Sequence, residues 1–163
     1  MTKVRYLFLV LALAAAACSP PASDSTQSQA AAPVPPDIAA VASAAAPGVT
    51  ITSGELNASG NQFEVTGTMP NGDEVEIDLA QSNGAWMALE VQRDVAWSSV
   101  PEQVRAAAAA APDSFEPVRV IESTQSDDGS VVYELFRAVP GGSPSGGPDV
   151  EVRWHEGSAS VVP

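Results

Sequence analysis

His155 and Cys18 are the only histidine and the only cysteine in this 163-residue chain, and they bound its chemistry. A Cys/His zinc cluster needs three or four such ligands, so the counts exclude it. A lone Cys makes no intrachain disulfide. Serines are plentiful, so the counts do not forbid a Ser–His–Asp triad. There is no Gly-x-Ser-x-Gly elbow, however, and His155 stands beside a Glu156-Gly157 turn, the place of a solvent-facing histidine. Gly141 to Gly147 falls between two strand patterns with no Lys-Ser or Lys-Thr after it, so it is not a phosphate loop. The carboxylates are what remains. Glu74, Glu76 and Asp78 alternate and so line one face of a strand, and Glu151 does the same in a later strand. A row is not the converging cage of six to eight oxygens that calcium takes, and the D-x-D-x-D-G loop is absent. No metal or cofactor is expected, no catalytic set is visible, and Asp127-Asp128-Gly129 reads as a hairpin tip.

The tryptophans complete the candidate list. Trp154 alternates in step with Val150 and Val152 and belongs to an apolar face. Trp86 and Ala88 alternate against Met87, Leu89 and Val91. Three apolar side chains outweigh two, so Trp86 is expected on the opposite, open face, where an exposed tryptophan serves as a binding anchor. The candidate binding face is therefore Trp86, Glu74, Glu76, Asp78 and Glu151.

The elements that position these residues recur along the chain. Pro36-Asp37-Ile38 opens an Ala-rich stretch closed by Pro47, and Pro101-Glu102-Gln103-Val104 opens another closed by Pro112. Proline in the first turn, an acid beside it and a closing proline predict two short helices. Ser99 stands three residues before Glu102, the spacing of a capping box. Phe63-Glu64-Val65 is answered by Tyr133-Glu134-Leu135, and Glu74-Val75-Glu76-Ile77 by Asp149-Val150-Glu151-Val152. Asn71-Gly72, Asn83-Gly84, Asp128-Gly129 and Glu156-Gly157 mark turns. The expected architecture is α+β: a tandem repeat of a short helix plus a four-stranded antiparallel sheet, copy one at 36–92 and copy two at 101–163. The longer second copy carries a Gly/Pro-rich loop at 140–148. One sheet face is apolar and takes the helices, and the other is polar and open. Neither copy holds enough core to stand alone, so 36–163 is expected to fold as one unit.

The N-terminus is an address. Lys3 and Arg5 precede an apolar run to Ala17, too short to span a bilayer as a helix. Ala15-Ala16-Ala17-Cys18, followed by Ser19-Pro20-Pro21, resembles the lipobox of bacterial lipoproteins. The resemblance implies removal of residues 1–17, diacylation of the Cys18 thiol, and, with Ser19 next, sorting to the outer membrane on its periplasmic side. The alternative is an ordinary secretory signal with an A-x-A cleavage site. After Cys18 the stretch to residue 35 is mostly Ser, Ala, Gln and Pro, with one Asp and no apolar side chain larger than Val34, and 18–35 reads as the lipidated Cys and a flexible tether, spanning on the order of 20–25 Å. After residue 17 the chain has five arginines, no lysine and twenty acids, a formal charge of −15. That excludes a nucleic-acid partner and makes the lipid the membrane contact.

Three stretches carry a further likeness: Ser99-Val100-Pro101-Glu102-Gln103-Val104-Arg105, Val131-Val132-Tyr133-Glu134-Leu135, and Glu74-Val75-Glu76-Ile77-Asp78 with Asn83-Gly84-Ala85-Trp86. They resemble the PepSY-like family of secreted bacterial proteins, which share a tandem architecture with the β-lactamase inhibitory protein. The resemblance implies a non-catalytic envelope module that binds a protein or peptide, protease inhibition included. The alternative expectation is an envelope module for cations or small molecules, resting on the carboxylate rows.

Overall fold

The computed structural model describes residues 33–142 and 146–163. The signal segment, Cys18 and most of the tether lie outside the described residues, as do 143–145 of the Gly/Pro-rich loop. The order of elements is helix α1 (Pro36–Ala45), strands β1 (Thr50–Leu56), β2 (Gln62–Thr68), β3 (Glu74–Ser82) and β4 (Ala85–Asp94), a single 3₁₀ turn (Trp97–Ser99), helix α2 (Glu102–Ala110), and strands β5 (Arg119–Gln125), β6 (Val131–Phe136), β7 (Val150–His155) and β8 (Ser158–Val161). All eight strands form one antiparallel sheet in chain order. The fold is α+β, as expected.

Both helices begin where their prolines place them. Pro35 and Pro101 occupy the N-cap positions, Asp37 and Glu102 lie in the first turns, and each helix buries residues four apart: Ile38 with Ala42, and Val104 with Ala108. The capping box at Ser99 does not form. Ser99 sits in the 3₁₀ turn, and its hydroxyl donates to the Ala96 carbonyl at 2.7 Å instead.

Two apolar clusters hold the helices to the sheet. In the first, Ile38, Ala42 and Ala46 meet Phe63, Val65, Val75, Ile77 and Leu79. In the second, Val100, Val104 and Ala108 meet Val120, Tyr133, Leu135 and Val152. Close approach needs glycine at two places. A Cβ on Gly67 would overlap Val49 Cγ2, and one on Gly54 would overlap Phe63 Cε1 and stand 2.7 Å from Val34 Cγ2. Val34, assigned by composition to the tether, therefore packs against the first cluster, and the folded unit reaches at least to that residue.

Between the clusters runs the pairing of β4 with β5, five residue pairs from Glu90↔Gln125 to Asp94↔Ile121. Its helix-covered side is polar. Arg93 pairs with Glu122 at 2.6 Å, and the Tyr133 hydroxyl donates to the same carboxylate at 3.1 Å. On the other side Arg119 holds Asp94 with two hydrogen bonds and lies over the Phe136 ring.

The β3–β4 pairing carries a bulge. Asp78 faces Glu90, but Leu79 faces Ala88, so Leu89 is an extra residue in β4. This overturns the expected position of Trp86. Alternation broken at Leu89 puts Trp86, Ala88 and Val91 together on the helix-covered side, packed on the first cluster, with Trp86 edge-on to Phe63 at 6.1 Å between centroids. Met87 takes the open face instead, with half its surface exposed.

Candidate functional site

The open face is assembled by register. The turn at Asn71-Gly72, with Gly72 at φ 93°, sets β2 against β3 so that Glu64 faces Asp78 and Thr66 faces Glu76. Across the next ladder Glu76 faces Gln92 and Asp78 faces Glu90. Carboxylate oxygens of Glu64, Glu76 and Asp78 all lie within 4.8 Å of one another. The row foreseen along β3 thus becomes a cluster by addition of a residue from β2. Sequence reasoning missed Glu64 and Glu90. The Asn-Gly turn was the signal for Glu64, because counting outward from it pairs Thr68 with Glu74 and Glu64 with Asp78.

The cluster opens into a cleft of about 380 Å³ lined by Glu55, Glu64, Asp78, Leu89 and Glu90 among others. Glu90 is the best-satisfied acid of the group. Burial disfavours its charge, but hydrogen bonds from Ser123, Gln125 (2.7 Å) and Gln92 (2.9 Å) outweigh that and hold it below the ordinary glutamate range. Its neighbours bear the cost. Burial, with repulsion from Glu64, Asp78 and Glu90, pushes Glu76 up to about 7, and the Arg119 guanidinium only partly offsets this. Burial, then Glu90 and Glu64, push Asp78 up to about 6. At neutral pH the cluster therefore carries less negative charge than its residue count suggests, and a cation entering it displaces protons.

The other candidates are dispersed. Glu74 is exposed at the start of β3 and lines a second cleft, of about 310 Å³, with Glu76, Asp94 and Arg119. Glu151 lies four strands from the cluster and faces Glu134 across the β6–β7 ladder. Burial and the Glu151 charge raise Glu134 above its ordinary range. Trp86 takes no part in this face. His155 is the partly exposed last residue of β7, beside the turn, with Asp128 and Glu156 each at 3.9 Å.

No family model, curated protein or solved structure matches the chain. Among the described residues no helix is long and apolar enough to cross a membrane.

Proposed function

We propose that this protein is a non-catalytic binding module of the bacterial envelope, anchored in the outer membrane through lipid on Cys18, whose open sheet face engages a protein or peptide in the periplasm. One observation carries the binding part of this reading. Both helices pack on the same side of an eight-stranded sheet, leaving the other side without a helix among the described residues and rich in carboxylates from six strands. The lipobox-like Ala15-Ala16-Ala17-Cys18 carries the anchoring part.

The PepSY-like relationship belongs to the same proposal. It draws support from a helix and four strands occurring twice in the same order. The last hairpin of each half turns through two residues at positive φ, Asn83-Gly84 at 52° and 79° and Glu156-Gly157 at 50° and 81°. Matching those turns makes Glu151 the counterpart of Asp78, two places from the match that residue identity suggests.

Photo-crosslinking tests the binding reading. A crosslinking amino acid at Thr66, on the open face, should trap a discrete envelope protein, whereas one at Ser43, on the outer side of α1, should not. Equal or absent adducts at Thr66 refute it. The convergence of Glu64, Glu76 and Asp78 favours a second reading, a cation-binding module. Calorimetry with Ca²⁺, Mg²⁺ and Zn²⁺ decides: a dissociation constant below about 10⁻⁴ M would place this reading first.

A further inference from the structure

The bulge at Leu89 does more than redirect Trp86. It places two consecutive residues, Leu89 and Glu90, on the same open face, where regular alternation would have separated them. The bulged backbone is held by the Ser126 N–H, which donates to the Leu89 carbonyl at 2.8 Å. Leu89 is 41% exposed and Met87, on the same face beside Ala80, 51%. Among the described residues nothing covers these two large apolar side chains, which stand on the same strand face as the acidic cleft that Leu89 lines.

The carboxylates around them lack a cationic partner among the described residues. None of the ion pairs among the described residues involves Glu55, Glu64, Asp78 or Glu90. The arginine of β5 on this face, Arg119, is committed to Asp94 and to the Phe136 ring. We propose that Met87 and Leu89, with the carboxylates of Glu55, Glu64, Asp78 and Glu90, form a docking site for a partner segment in which basic side chains alternate with apolar ones. This rests on the binding reading above and adds the chemistry of the partner. Charge complementarity calls for lysine or arginine over the cleft, and the exposed Met–Leu pair calls for an apolar side chain beside them.

Fluorescence anisotropy on the full-length protein in neutral detergent, at about 150 mM salt to screen long-range attraction, tests the site. The probe is a labelled dodecapeptide of repeated Arg-Leu-Arg-Ala, and its control replaces each Leu with Gly at the same charge. The Leu peptide should bind about tenfold more tightly than the control, the usual scale for burying a leucine side chain. Met87→Ser with Leu89→Ser should erase that preference, and Glu64→Gln with Asp78→Asn should weaken both peptides. Met87 and Leu89 are exposed and Glu64 is at the surface, so a cooperative thermal melt no lower than that of the wild type will show that each variant is folded. Equal binding of the two peptides, or indifference to the Met87/Leu89 pair, overturns this inference while the crosslinking result at Thr66 still decides the binding reading. Failure of the Leu peptide to bind, or displacement of both by millimolar Ca²⁺ that itself saturates the carboxylates, also overturns it.

Discussion

Replacing Glu76 by Gln should stabilise the protein at alkaline pH and do little at acidic pH. The carboxyl titrates near 7 in the folded chain and at its ordinary value of 4.5 once unfolded. The folded state therefore holds the proton more firmly, and stability falls as pH rises from about 4.5 to about 7. Asp78 and Glu134 are raised as well and act in the same sense, whereas Glu90 and Asp128 are lowered and act only below the ordinary carboxylate values. The groups facing Glu76 are Glu64 from β2, Asp78 from its own strand, Glu90 from β4 and Arg119 from β5. The gap between 4.5 and about 7 corresponds to at most about 3 kcal/mol. Solvent reaches this half-buried side chain and screens it, so about 1–2 kcal/mol is the reasonable gain for Glu76→Gln at pH 8. For a domain of this size that is a rise in Tm of roughly 3–8 °C. Calorimetry of both proteins at pH 5 and pH 8 is the assay. Wild-type protein that melts no lower at pH 8 than at pH 5, together with no gain from Glu76→Gln at pH 8, would refute the reasoning.

Cys18→Ser should abolish palmitate labelling and leave the chain uncleaved or released as a soluble form, read by fractionation; wild-type protein found soluble with a free N-terminus would overturn the anchor. Gly67→Ala should cost about 1–3 kcal/mol, because the new methyl overlaps Val49 and meets the Thr50 carbonyl oxygen at 3.0 Å; urea denaturation measures it. Glu122→Ala should cost about 1–3 kcal/mol by stripping Arg93 and Tyr133 of their acceptor, whereas Arg93→Ala, which removes only a half-exposed partner, should cost less than about 1 kcal/mol.

What could be read in advance follows from which interactions are local. The prolines at 35, 36 and 101 act on their own helix ends, so the helices fell where the residues place them. Strict alternation in Glu74–Leu79 and in Val150–Trp154 marked the covered and open faces correctly. The capping box failed because Ser99 is drawn into a 3₁₀ turn by a competing acceptor, the Ala96 carbonyl. Trp86 failed because a bulge is a property of two strands, and nothing in Met87-Ala88-Leu89-Glu90 alone announces the extra residue. The acidic cluster was half legible: Glu76 and Asp78 belong to one strand, but Glu64 joins them only through the β2–β3 register. Val34 was hidden by composition, since its partner is the empty space over Gly54 rather than anything nearby in the chain.

A meander in which each strand pairs with its neighbour in sequence has a kinetic consequence. Each ladder joins strands adjacent in sequence, so the sheet can zip from one end; the longest closure is the β4–β5 step, which must wait for the segment that carries α2. If the N-terminal half forms first, β4 is for a time the growing edge, open to pairing with the wrong chain. Arg93 and Asp94 near its end then act as gatekeepers, charges that make an unguarded edge unattractive to strangers. When β5 arrives they recognise it. Arg93 takes Glu122 and Asp94 takes Arg119, two contacts of opposite polarity that a strand shifted by two residues would lose together. The same pair of side chains thus guards the nascent edge against aggregation and marks the register in which the sheet is extended.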